Sequence, residues 1–165
     1  MGESNVNEAS RAIVLHLGVD YGAKHFKLEQ CAFNDATFSA PDEKGYQPYR
    51  ECILDSNETH ELGKCFNTNL DVDNLCRELQ QYNEAVSVSK NPGRFVCNYV
   101  YCLSLDQTNK YNQGLKEIQQ SPNIECHAHA LFIHVPPFHV VSEGRQLDFI
   151  LKIMQTIERQ VSGSN

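Results

Sequence analysis

The sequence predicts an α/β fold built on an open sheet with parallel strands. Short β-branched or apolar runs alternate along the chain with stretches whose apolar residues recur at helical spacing. Several of the runs are closed by Gly or Pro. The first, Arg11 to Gly18, is apolar almost throughout, the pattern of a strand buried on both faces in a parallel sheet.

Taken in order, residues 1–10 are polar and read as frayed. From His25 to Phe33 the chain alternates, with Phe26, Leu28 and Gln30 on one side and Lys27, Glu29 and Cys31 on the other, as a second strand does. Asn34 to Leu70 is turn chemistry (Pro41-Asp42, Lys44-Gly45, Gln47-Pro48, Asp55-Ser56-Asn57); so long a stretch in a compact domain implies function or hidden short strands. Asp71 to Tyr82 is a helix, because Val72, Leu75, Cys76 and Leu79 share one face and Asn69 or Asp71 can cap it. Ala85 to Ser89 is a strand, and Asn91-Pro92-Gly93 turns the chain. Phe95 to Leu105 fits either a strand or a buried helix, and Asp106 to Glu125 is a polar excursion. Ala128 to Val135 is a strand stopped by Pro136-Pro137. Leu147, Ile150, Leu151, Met154 and Ile157 mark a closing amphipathic helix, with Ser142 at its cap position.

At 165 residues the chain is one domain, and 41% apolar residues give it enough core to fold without disulfides. Lys and Arg number 14 against 21 Asp and Glu, a net charge of −7 with no basic run, which argues against nucleic acid and against an anionic membrane as partners. No apolar run approaches the ~20 residues of a transmembrane helix, and the polar start lacks the features of a secretory signal, so the expected location is cytoplasmic. Seven cysteines at irregular spacing, without a Cys-x-x-Cys pair, read as reduced thiols.

Sites in such a sheet form at the carboxyl ends of strands, where three residues draw attention. Cys97 follows a strand and a tight turn. If a helix starts near Val96, its amino-terminal dipole favours a thiolate nucleophile; the alternative is a small buried hydrophobe. His134 ends a strand and could carry protons near neutral pH, or be a satisfied core residue. Glu29 alone reads as a solvated charge, yet with a thiol and an imidazole it would complete a triad. A competing cluster, Cys126, His127, His129, His134 and His139, could be read as a metal site, but its spacing matches no structural zinc pattern and a surface cluster is the simpler account.

The run Gly93-Arg-Phe-Val-Cys97-Asn-Tyr-Val-Tyr101, with Phe132-Ile-His134-Val-Pro136 downstream, resembles the pyroglutamyl peptidase I family of cytosolic cysteine peptidases. His16-Leu-Gly18 and Leu28-Glu29-Gln-Cys-Ala32-Phe-Asn34 look like that family's His-x-Gly and Glu-x-x-Ala-x-Asn stretches. The resemblance runs from about Ile13 to about Ile157 in family order. It implies a three-layer α/β/α domain with a twisted, mostly parallel open sheet over residues 11–161, between disordered segments at 1–10 and 162–165. It also implies an omega-peptidase that removes N-terminal pyroglutamyl residues with Cys97 as nucleophile, His134 as acid and base, and Glu29 orienting the imidazole. No cofactor and no metal are implied. Phe95, Val96 and Val19 are the implied substrate contacts, Phe95 as a ring-stacking group, and pyroglutamyl peptides are the implied partner of a monomer or homo-oligomer. Activity is expected to fall below about pH 6 as thiolate and imidazole take up protons.

Two departures from the family pattern stand out. Val19 and Ala23 occupy positions where prokaryotic members carry Gln and Arg. The family's first strand, helix and second strand have no counterpart, which is expected to expose a sheet edge and apolar surface. A truncated, inactive form that binds peptides or proteins is therefore the alternative to a working peptidase.

Overall fold

The structure, a computed structural model, describes residues 11–55, 60–119 and 127–163. The sequence-based expectations for residues 1–10, for Ser56-Asn57, for residues 120–126 and for 164–165 lie outside these, whereas Ser162 and Gly163, expected in a disordered tail, end and cap the last helix. Among the described residues six strands and three helices follow in the order β1 (Ala12–Val19), β2 (Phe26–Glu29), β3 (Cys31–Phe33), β4 (Cys65–Asn67), α1 (Val72–Gln81), β5 (Val86–Ser89), α2 (Val96–Gln119), β6 (Ala128–Val135) and α3 (Glu143–Ser162). Four strands form the main sheet in the order β1-β6-β2-β5, and β3 pairs with β4 in a separate two-stranded ladder. β1 runs parallel to β6 and β2 parallel to β5, whereas β2 and β6 are antiparallel. The sheet is thus mixed and mostly parallel.

Strand alternation divides the core in two. On one face Phe26, Leu28, Val86, Leu131 and Ile133 pack against Leu75 and Leu79 of α1 and Phe149, Ile153 and Ile157 of α3. On the other, Ala130 and Phe132 meet Tyr101, Cys102 and Leu105 of α2. The result is the expected α/β/α layering. The Phe26 and Phe149 rings stack with centroids 3.7 Å apart, joining sheet to α3.

Four local expectations need correction. The run at Ala12–Val19 is a parallel strand, but it lies at the sheet's edge, so Ile13, Val14, Leu17 and Val19 are exposed rather than buried on both faces. The alternating stretch at His25 to Phe33 is two strands, because the chain changes sheet at Gln30. The polar excursion after Asp106 continues α2 as far as Gln119; its buried positions, Thr108 and Asn112, are polar, which hides the apolar period. In α3 the buried stripe is Gln146, Phe149, Ile153, Thr156 and Ile157, while Leu147, Leu151 and Met154 face outward. Ser142 holds the cap position of α3 without a side-chain bond, whereas Asp71 does cap α1, accepting from the Asn74 N–H at 2.9 Å.

The described part of the long turn-rich segment contains the short strand β4 and a bridge between Ala36 and Glu51. Its organiser is Asn34, fully buried. The Asn34 Oδ1 accepts from the Ile53 and Leu54 N–H groups, each at 2.8 Å, and its Nδ2 donates to the His60 and Glu61 carbonyls at 2.7 and 3.2 Å. One amide side chain thereby does for two loop passages what a strand ladder does elsewhere. Among the described residues no helix is long and apolar enough to cross a membrane.

Removing that amide leaves four backbone groups to find other partners. Asn34→Ala is expected to lower the free energy of unfolding by about 2–4 kcal/mol in urea titrations; a loss under about 0.5 kcal/mol would show that the loops hold themselves.

Candidate active site

The strand registers assemble the site. Across β1, β6 and β2 one row reads Gly18, His134, Lys27 and the next reads His16, Phe132, Glu29. By alternation these side chains share the face covered by α2, because Leu17, Ile133 and Leu28 point to the other. Glu29 and His134 stand diagonally across the β2/β6 pair, and the His134 Nδ1 lies 2.7 Å from the Glu29 Oε1.

Glu29 is 1% exposed and its Oε2 has no hydrogen-bond partner among the described residues. A carboxylate so enclosed needs a counter-charge, and the imidazole is the group placed to supply it. Burial by itself would lower the His134 pKa, but its hydrogen bonds with Cys97 and Glu29 and their negative charges outweigh burial and push the ring up to about 9. With Nδ1 committed to Glu29, the ring nitrogen left for Cys97 is Nε2.

Cys97 is the second residue of α2 and half-buried. Its N–H belongs to the first helical turn, where intrahelical acceptors are lacking. Asn98 fixes this end of the helix: its Oδ1 accepts from the Phe33 N–H at 2.8 Å and its Nδ2 donates to the Phe33 and Asp35 carbonyls at 2.9 and 3.0 Å. Since β3 follows β2 after one residue, this clamp also ties the helix start to the strand that carries Glu29. The Tyr101 hydroxyl, one turn into α2, donates to the Glu29 carbonyl at 2.8 Å. Phe132 sits between the elements, 4.9 Å from the His134 ring and 5.9 Å from Tyr101.

Beside the helix start, Phe95 and Val96 are each 38% exposed, and the Phe95 ring meets Phe38 edge-on at 4.7 Å. Val19 differs from expectation. Alternation puts it with Leu15 and Leu17 on the α3 side of β1, so Gly18, not Val19, faces the thiol. The six described cysteines are free thiols, and burial pushes those of Cys31 and Cys102 up to about 12. Of the histidines once grouped as a metal cluster, His129 bonds Asn69 through Nδ1 at 2.9 Å and His134 bonds Glu29; no three described His, Cys, Asp or Glu side chains come together as a metal-binding group.

Sequence reasoning selected Glu29, Cys97 and His134, and the structure brings all three together. It assigned nothing to Asn98, Tyr101, Phe132 or Asn34. Asn98 carried a signal, a lone amide among apolar neighbours, since such a side chain is kept inside only when its bonds are met, whereas Asn34, followed by Asp35, reads as the start of a turn.

Fold and site together define a three-layer α/β protein in which a thiol, an imidazole and a buried carboxylate meet at one end of a helix. The family model for pyroglutamyl peptidase matches residues 2–143, and the chain belongs to that family. It is 24% identical over 160 residues to human pyroglutamyl-peptidase 1, covering 93% of this chain and 65% of the relative. It is 30% identical over 149 residues to human pyroglutamyl-peptidase 1-like protein, covering 90% and 62%. The chain thus spans less than two thirds of the length of these relatives. A mutant pyrrolidone carboxyl peptidase from Pyrococcus furiosus shares the fold with a TM-score of 0.72 at 20% identity, over 90% of this chain and 70% of that one. The Thermus thermophilus enzyme does so at 0.64 and 18%, over 90% and 69%.

The raised His134 pKa has a consequence for stability. A group whose folded pKa exceeds its unfolded value of about 6.5 stabilises the fold fully below that value and loses the contribution as pH rises through about 9. Urea unfolding from pH 6 to 9.5 is expected to show this decline in the parent and a flatter profile in His134→Gln; parallel profiles would contradict the assignment.

Proposed function

We propose that this chain removes N-terminal pyroglutamyl residues from peptides by thiol chemistry at Cys97. The observation that carries the reading is the buried Glu29–His134 pair with Cys97 against its free nitrogen at the start of α2. The names of the human relatives give the substrate class.

In the proposed sequence the Cys97 sulfur, its proton resident on His134, attacks the pyroglutamyl carbonyl carbon. The N–H groups of the first turn of α2, that of Cys97 among them, face the charge that develops on the carbonyl oxygen. Collapse breaks the C–N bond; His134 gives its proton to the departing amine, and a thioester remains. The imidazole, now neutral, takes a proton from water as that water attacks the thioester, releasing pyroglutamate and returning the thiolate–imidazolium pair. Glu29 holds Nδ1 protonated and stabilises the imidazolium without exchanging the proton itself. Phe95 and Val96 are the proposed substrate contacts, because both are exposed beside the nucleophile.

The alternative, a fragment that binds without turnover, draws on the exposed edge of β1. A fluorogenic pyroglutamyl amide, assayed under reducing conditions with circular dichroism on each sample, separates the two. Turnover is expected in the parent and reduced by about three orders of magnitude or more in Cys97→Ala. A folded parent without turnover would favour the binding fragment, and activity kept in Cys97→Ala would overturn the triad.

The expected pH limb also changes. Because His134 keeps its proton up to about pH 9, protonation of this ring is not the source of an acid limb near pH 6. Turnover is instead expected to fall as pH rises past about 9, where the proton needed by the leaving amine is lost. Rates that keep climbing to pH 10.5 would remove His134 as the acid.

A further inference from the structure

Gly18 lies directly opposite His134 in the β1/β6 ladder. Its φ is outside the left-handed region, so the backbone does not call for glycine. Space does. A Cβ at Gly18 would stand 2.7 Å from the Phe132 Cζ, 3.0 Å from its Cε1 and 3.1 Å from the Cys97 Sγ. Carbon atoms in contact normally keep about 3.5–4.0 Å apart, so something must move.

The ring has little freedom to yield. Phe132 is 2% exposed and hemmed by His16 at 6.0 Å, Tyr101 at 5.9 Å and His134 at 4.9 Å between ring centroids. His16 is itself held by Ser104 of α2, at 2.7 Å from the ring Nε2 to the hydroxyl, and the Tyr101 hydroxyl is held by the Glu29 carbonyl. The crowded atoms can separate by a shift of the ring toward His134 or of the sulfur away from Gly18. Either one alters the distance between Cys97 and the imidazole.

We propose that Gly18 is a positioning residue for the thiol–imidazole pair: the volume left by its missing side chain seats the Phe132 ring edge and the Cys97 sulfur, and filling it drives Cys97 and His134 out of register. The proposal deepens the peptidase reading, since it concerns the same thiol. Its test is nonetheless made on the thiol itself and needs no substrate.

The experiment is a double-mutant cycle on the rate of Cys97 carbamidomethylation by iodoacetamide, followed peptide by peptide in mass spectra from pH 5.5 to 9.5. The exposed Cys65 serves as internal reference. Gly18→Ala is expected to slow Cys97 about tenfold at pH 7 and to shift its pH profile, with Cys65 unchanged, because ångström-scale misplacement of reacting groups costs one to two orders of magnitude. In a Phe132→Leu background, where the crowded ring atoms are gone, the same substitution is expected to cost about twofold or less. Should Gly18→Ala fail to fold by circular dichroism, a folded Gly18→Ala/Phe132→Leu protein that alkylates like Phe132→Leu supports the same crowding.

A folded Gly18→Ala protein with the parent's rate and pH profile overturns the proposal. So does an equal penalty in both backgrounds, or a double variant that is also unfolded. Coupling found in a protein that does not turn over pyroglutamyl amides would retain the positioning role and remove only the substrate assignment.

Discussion

The site is organised by one contact, the 2.7 Å bond between the Glu29 carboxylate and the His134 ring. A carboxylate at 1% exposure costs several kcal/mol to desolvate unless a positive partner compensates it. The imidazole can do so only by staying protonated, and a protonated ring is what a thiolate needs beside it. Against the lowering effect of burial, the hydrogen bonds and negative charges of Cys97 and Glu29 together hold the imidazole in its protonated state.

That contact depends on the antiparallel β2/β6 pairing. With Phe132 opposite Glu29 and His134 opposite Lys27, a one-residue slip would turn Glu29 away from His134 and into the apolar α1/α3 core. The register is held by the apolar side, where Phe26, Leu28, Leu131 and Ile133 are all nearly fully buried. The polar loops supply the other constraint. Asn98 fastens the start of α2 to β3, and Asn34 closes the loop passages around it, so Cys97 sits on a helix end tied to the strand carrying the carboxylate.

Much of this is legible in the sequence, for identifiable reasons. The helix at Val72–Gln81 has an unbroken helical period, and the strand at Ala128–Val135 is a short apolar run stopped by two prolines, so local pattern suffices. The strand at Ala12–Val19 is equally apolar, but nothing in its composition says whether a neighbour lies on both sides; position in a sheet is a non-local property. The C-terminal half of α2 is obscured because Thr108 and Asn112 are buried by hydrogen bonding, Asn112 to the His127 and Ala128 backbone, rather than by apolar packing. In α3 an apolar stripe at Leu147, Leu151 and Met154 competes with the stripe that is buried, and periodicity cannot rank two faces of one helix. Within the site Glu29, Cys97 and His134 stand out by type and motif, whereas the close packing of Gly18 against Phe132 appears only once the strands are aligned.

The most direct measurement is the titration of His134 by ¹⁵N-edited NMR, assigned against His134→Gln, from pH 5 to 10.5. The account predicts that both ring nitrogens remain protonated through neutral pH and that the ring titrates near 9. A ring already neutral at pH 7 would contradict it, because the buried Glu29 would then lack its counter-charge.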